Sequence, residues 1–163
     1  MDESLAVPLG KAAVRREGKD LSVVATSWMV PEAVKAADVL ARRGVSLEVV
    51  DVRSVSPLDS ETVLASVRKT RHAVVADYDW SFCGFSAELA ALIHQGCWGT
   101  LAAPVERLGF AHAPCPTTRP LENRFYPSAV EVVRAAEKLL GLSPTDLSGE
   151  EFYSWEKKFK GPF

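Results

Sequence analysis

Asp77, Asp79 and Glu88 crowd behind a short apolar run and are the first residues whose types and spacing suggest chemistry. Paired carboxylates serve acid–base work or hold a hard cation. The end of a buried strand is also where ligands gather in open α/β sheets. Acids at i and i+2 in a loop are equally an ordinary solvated pattern, and that reading outweighs a metal site. The stretch Asp77-Tyr78-Asp79-Trp80, with Phe85 behind it, reads as a candidate contact surface, because Tyr and Trp are favoured at interfaces.

Other constellations are incomplete. His112 lies near Cys115, but Pro114 and Pro116 surround the thiol, and a Cys–His nucleophile needs the two side chains face to face. His94 lies within a helical pattern and reads as a surface or capping group. Gly84-Phe85-Ser86-Ala87-Glu88 opens a helix whose free N–H groups attract anions, yet a single glycine there reads as punctuation. Asp51 and Arg53 share a face at the end of a strand and read as a structural ion pair or a capping network. There is no Walker loop, no G-x-G-x-x-G after a strand and no G-x-S-x-G elbow.

The elements that position these residues follow from length and patterning. The 163 residues suit one domain with a real core. Composition is ordinary for a globular protein, with 47% hydrophobic and 25% charged residues. A net charge of −2 leaves no electrostatic footprint for nucleic acid or an anionic membrane. No apolar run approaches the roughly 20 residues of a membrane helix. The acidic start Met1-Asp2-Glu3-Ser4-Leu5 is unlike a signal peptide, so a cytosolic location is expected. Cys83, Cys97 and Cys115 are sparse and odd in number, which favours free thiols over a disulfide scaffold. With His72, His94 and His112 they make no zinc spacing.

Short β-branched runs at Leu21–Ser27, Val45–Val52 and His72–Ala76, and a weaker one at Pro104–Leu108, predict strands buried on both faces. Apolar stripes predict helices over Pro31–Arg43, from Asp59 or Ser60 to Lys69, over Ser86–Cys97 and over Ser128–Leu140. Pro31 suits a first helical turn and Gly44 a C-cap. Alternating strands and helices predict a parallel sheet covered on both sides. Ala12–Arg16, with its polar tail, predicts an added edge strand. A core domain is expected over 1–141 and an aromatic, charged extension over 142–163. Phe152, Tyr153, Trp155 and Phe163 in that extension are candidate contacts with this domain or a partner.

Several motifs run in order along the chain. Val7-Pro8-Leu9-Gly10-Lys11-Ala12 opens it. Asp51-Val52-Arg53-Ser54-Val55-Ser56-Pro57-Leu58-Asp59 follows, then Gly84-Phe85-Ser86-Ala87-Glu88-Leu89-Ala90-Ala91. Ala103-Pro104-Val105-Glu106-Arg107-Leu108-Gly109 and Pro120-Leu121-Glu122 with Tyr126-Pro127-Ser128 complete the set. Together they resemble the transketolase C-terminal domain, and most of all that of 2-oxoacid dehydrogenase beta subunits of the pyruvate, branched-chain and acetoin type. Asp51, Arg53, Pro57, Leu58, Asp59, Gly84, Glu88 and Pro120 carry the pattern.

The resemblance implies a three-layer αβα sandwich with a mixed, mostly parallel five-stranded sheet. It implies an assembly and docking domain with no catalytic, cofactor or metal residues of its own. Thiamin diphosphate with magnesium would sit in other domains of the full enzyme. Implied partners are an alpha subunit, a second beta subunit and the lipoyl acyltransferase core, with self-association of the isolated chain. The alternatives are a stand-alone interaction module, or the matching domain of a transketolase, a deoxyxylulose-phosphate synthase or a 2-oxoacid:ferredoxin oxidoreductase. The departures are Tyr78 where the family commonly has glutamate, Cys83 and Ser86 in place of glycines, and His112 in place of aspartate. Ala102 stands where relatives often carry an aspartate that pairs with a basic acyltransferase domain, so the usual docking mode is in question.

Overall fold

A computed structural model describes residues 7–150 and 152, with every side chain among them except those of Arg119 and Pro120. The candidate contacts Tyr153, Trp155 and Phe163 lie outside the described residues. The polar-tailed run forms β1 (Ala13–Arg16), and the apolar runs form β2 (Leu21–Ala25), β3 (Leu47–Asp51), β4 (Ala73–Trp80) and β5 (Glu106–Phe110). Their order is β1-β3-β2-β4-β5, with β1 antiparallel on the edge and every other pair parallel. Helices α1 (Met29–Ala41), α2 (Ser60–Thr70), α3 (Phe85–Gly96), α4 (Arg119–Phe125) and α5 (Ala129–Leu140) complete the fold.

Side-chain alternation sorts the central strands between two cores. Leu21, Val23, Leu47, Val49, Val74 and Ala76 pack with α1 and α5. Val24, Val50, Ala73 and Val75 pack with α2 and α3. Strands covered on both sides have no wet face, which is why their sequences read as continuous apolar runs. The three-layer arrangement and the mixed, mostly parallel sheet are those expected. Two details differ. β4 continues past Ala76 to Trp80, where Tyr78 packs on the first core and on the Phe110 ring and Trp80 meets Phe110. The short helix α4 forms in a stretch whose prolines and few apolar residues predicted none; its Phe125 buries into that same set of rings.

The Asp51–Asp59 motif ties the edge of the sheet together. Asp51 accepts from Arg15 Nε at 2.9 Å and from a terminal nitrogen at 2.7 Å. Arg53, at φ 59, keeps its Nε 4.0 Å from Asp51, so the expected Asp51–Arg53 pair is secondary to Arg15. The antiparallel strand β1 delivers the better-placed guanidinium. Asp59 caps α2 by accepting from Thr62 N at 3.2 Å and also accepts the Ala12 amide at 3.1 Å. Pro57 lies under Gly10, where a Cβ would come within 2.9 Å of its ring, and Leu58 packs on the second core.

The start of the extension folds back on the domain. Glu137 on α5 accepts from Thr145 N at 2.6 Å and from Arg134 at 2.8 Å, while Arg43 donates to Ser143 O at 2.7 Å. Phe152 is buried in the α1–α5 core. Of the two contacts expected for Phe152, the one with this domain is what the structure shows, and Lys35 Nζ donates to its carbonyl oxygen at 3.5 Å.

Glu48 is 1% exposed on β3 and bonded to Lys69 and the Gly18 amide. Burial pushes its pKa up, but hydrogen bonds from Lys69, Ser66 and Gly18 outweigh burial and hold the carboxyl below its ordinary 4.5. The bond to Glu48 in turn raises Lys69 above 10.5. The carboxylate's contribution is complete above pH 4.5 and is lost as pH falls through its lower folded value. That of Lys69 is complete below pH 10.5 and is lost as pH rises through its higher value. Lys69→Met is expected to cost about 1–3 kcal/mol at neutral pH. In urea titrations the deficit should shrink on acidification as Glu48 protonates; a deficit independent of pH contradicts this account.

Candidate functional site

β2 leads into α1 on one face and β4 into α3 on the other, so a crevice is expected at their carboxyl ends. Asp77 fills it. The side chain is 6% exposed, accepts from the Thr26 hydroxyl and takes the Ser86 amide at 3.2 Å. A carboxylate at the first turn of α3 also complements the helix dipole. The strand pleat therefore turns Asp77 inward, away from the contact surface where its neighbours lie. Asp79 is exposed, its Oδ1 accepting from Trp80 N at 2.7 Å, and Glu88 is exposed on α3. Among the described residues no group of three or more His, Cys, Asp or Glu is arranged to hold a metal ion.

The loop that returns from β4 to α3 is tight. A Cβ on Gly84 would lie 1.9 Å from the Trp80 carbonyl oxygen, so only glycine fits. Cys83 sits at φ 58, a left-handed conformation that glycine adopts without strain. Ser86 is fully buried and its hydroxyl has no hydrogen-bond partner among the described residues. Phe85 is half-buried and packs on the second core, so only part of it is free for a partner.

The carboxyl ends of β4 and β5 carry an aromatic cluster. Tyr78 stacks on Tyr126 at 5.2 Å and meets Phe110 edge-on at 5.0 Å. Trp80 meets Phe110 at 5.3 Å, and Phe125 packs on Phe110 at 5.0 Å. Such ring pairs add to area burial. α4 supplies Phe125, and Tyr126 follows directly, so the unforeseen helix completes the cluster. The i, i+2 spacing of Tyr78 and Trp80 was the signal for it; Phe110 and Phe125 are too distant in sequence to have been joined to it. The outer rim stays open. Trp28 is 56%, Trp80 42% and Phe82 74% exposed. Trp80, Phe82, His112 and Pro114 border a cleft of about 390 Å³, and Trp28, Lys35, Tyr78 and Tyr126 border another of about 500 Å³.

His112 faces Phe82 at 6.2 Å between ring centroids, while the Cys115 thiol lies 3.2 Å from Tyr126 Oη. The Cys115 contact, followed by burial, pushes the Tyr126 phenol up to about 12. Burial likewise raises Tyr78. Ala102 is exposed before β5, at the opposite end of the strands from Trp80.

The family model for the transketolase C-terminal domain matches residues 10–132. The chain belongs to that family. The mitochondrial pyruvate dehydrogenase E1 component subunit beta-2 of Oryza sativa subsp. japonica is 41% identical over 138 residues, covering 85% of this chain and 37% of the relative. The acetoin:2,6-dichlorophenolindophenol oxidoreductase subunit beta of Cupriavidus necator is 39% identical, covering 83% of this chain and 40% of the relative. Among solved structures, a split gene transketolase in an inactive beta4 tetramer superposes with TM-score 0.72 and 28% identity, over 88% of this chain and 46% of that one. The chain thus spans less than half the length of each. Within this transketolase C-terminal domain the crevice does not fit a diphosphate: Asp77 occupies it with negative charge.

Two measurements probe this region. Asp77→Ala is expected to lower stability by about 1–3 kcal/mol and Ser86→Ala to raise it by up to about 1 kcal/mol in urea titrations, because one removes a satisfied acceptor and the other an unsatisfied hydroxyl. In an ultraviolet titration Tyr126 should ionise only near pH 12, and Cys115→Ala should bring it down toward 10.0.

Proposed function

We propose that this chain is the C-terminal assembly and docking domain of the beta subunit of a thiamin-diphosphate-dependent 2-oxoacid dehydrogenase, silent in catalysis by itself. One observation carries the reading. The sheet end where an α/β domain would hold a ligand is closed by Asp77, and the surface around it is apolar and aromatic, with Trp28, Trp80 and Phe82 exposed. The rice and Cupriavidus relatives, each a subunit beta by name, support the dehydrogenase branch. In the full assembly the reaction is oxidative decarboxylation of a 2-oxoacid, with thiamin diphosphate and magnesium bound outside these residues.

The partners are an alpha subunit, a second beta subunit and the lipoyl acyltransferase core. The split gene transketolase, a tetramer of beta chains as described, supports self-association and favours a second reading, the matching domain of a transketolase. Identity of 41% with the rice subunit against 28% with that protein weighs toward the first. The expected cytosolic location gains nothing from the rice relative, which is mitochondrial. No described helix is long and apolar enough to cross a membrane.

Co-expression with the alpha subunit from the same genome tests the proposal. The two should co-purify, and Trp80→Ala with Phe82→Ala should weaken that association on the order of tenfold or more while leaving the far-ultraviolet circular dichroism of the backbone unchanged. A purified chain that decarboxylates a 2-oxoacid alone would overturn it, as would one that stays monomeric by light scattering at roughly tens of micromolar.

A further inference from the structure

Beyond α5 the chain runs back along α1, against the direction of that helix. Just past the end of α1, Arg43 donates to Ser143 O and to Thr145 Oγ1, both at 2.7 Å. Arg42 pairs with Glu150. Two turns earlier in α1, Lys35 Nζ donates to the Phe152 carbonyl oxygen at 3.5 Å. Leu142, Leu147 and Phe152 pack on the first core along the way. The order of these contacts sets a heading: from the carboxyl end of α1 toward its amino end, at Trp28.

A cleft of about 500 Å³ lies on that heading. Phe152 forms part of its wall, Trp28, Tyr78 and Tyr126 supply rings, and Lys35 and Glu122 supply charge. Trp28 is 56% exposed, so much of its ring is uncovered. Lys35 is already paired with Glu32 at 2.6 Å. Half-buried Glu122 has no ion pair among the described residues. The cleft is therefore ring-lined with one uncompensated negative charge. The residues that follow Phe152 have the complementary character. Tyr153, Trp155, Phe159 and Phe163 are aromatic, and Lys157, Lys158 and Lys160 outnumber Glu156.

We propose that the segment 153–163 of this chain occupies the cleft, with the Trp155 ring against Trp28 and one of Lys157, Lys158 and Lys160 beside Glu122. The reach fits. Trp155 is three residues beyond Phe152, at most about 10 Å of extended chain. Lys35 to Trp28 is seven helical residues, also about 10 Å of rise. Attachment to Phe152 makes the contact intramolecular, so modest contacts suffice to fill the site. Covering an exposed indole and placing an ammonium beside an unpaired carboxylate both favour it. Neither Trp80 nor Phe82 lines this cleft, so the inference is independent of the assembly proposed for their face.

Zero-length carbodiimide cross-linking of the full chain, read by mass spectrometry, tests the proposal, because it joins a lysine only to a carboxylate in contact with it. The Glu106–Lys138 pair, at 2.8 Å, is an internal standard that also reports an intact β5–α5 contact. Glu122 should link to Lys157, Lys158 or Lys160 on the order of tenfold more than exposed Glu61 or Glu88 does. Trp155→Ala and Trp28→Ala should each lower that yield about fivefold or more with the standard unchanged. Trp80→Ala with Phe82→Ala should leave it as it is. A mixture of isotope-labelled and unlabelled chains should give no mixed product. Links spread evenly over Glu61, Glu88 and Glu122 overturn the proposal, as does a Glu122 yield indifferent to Trp155→Ala. So does the absence of a Glu122 link beside a normal standard, which would leave the cleft to another polypeptide. A mixed-isotope link overturns it too, since the occupant would then be the same segment of a second copy.

Discussion

A carboxylate taken out of water must find donors or give up its charge. Six acidic side chains among the described residues are buried: Glu32, Glu48, Asp51, Asp59, Asp77 and Glu137. Each is bonded to a segment far from it in sequence. Glu32 on α1 takes the Ala129 amide of α5 at 2.9 Å, so the two helices on one face are joined by a hydrogen bond as well as by packing. Glu48 holds Gly18 before β2, Asp51 and Asp59 hold the edge strand, Asp77 joins β4 to β2 and α3, and Glu137 clamps the turn after α5. Satisfying these acids brings the same elements together as the two apolar cores. That agreement between levels is what narrows a chain to one arrangement.

The same requirement bears on function. The carboxylates that looked available for acid–base or metal chemistry are the ones the architecture consumes or leaves scattered. Asp77 has both oxygens taken by Thr26 and the Ser86 amide, while Asp79 and Glu88 stand apart in solvent. What the fold leaves open at the carboxyl ends of the strands is largely apolar: the aromatic rim around Trp80 and the cleft beside Trp28. Both are set on rigid supports, the first by ring packing with Phe110 and Phe125, the second by the stacking of Tyr78 on Tyr126. Ordered apolar surface of this kind suits protein contacts better than reaction chemistry.

Departures from the family pattern have local physical consequences. Cys83 takes a left-handed conformation in place of a glycine and carries the strain of its Cβ there. Ser86 buries a hydroxyl that finds no partner, although its backbone amide is well used by Asp77. Tyr78, where the resemblance implies a glutamate, adds a ring to the cluster at the carboxyl end of β4. The first two weaken the loop slightly; the third makes the surface beside it more apolar.

Much of the fold was legible in the amino-acid order, because the signals are local. Continuous β-branched runs specify doubly covered strands, apolar stripes specify the four long helices, and Asp59, Ser128 and Gly141 mark their ends through capping chemistry that spans only a few residues. The polar tail of β1 marked it as an edge strand by the same local logic. The site was less legible. Whether Asp77 faces in or out depends on β4 continuing in register beyond Ala76. The aromatic cluster needs Phe110 and Phe125 brought beside Trp80 from distant segments. The pairing of Asp51 with Arg15 needs the antiparallel edge strand in place. Each of these is a meeting of side chains far apart in the chain, and only the packed sheet and its helices decide such meetings.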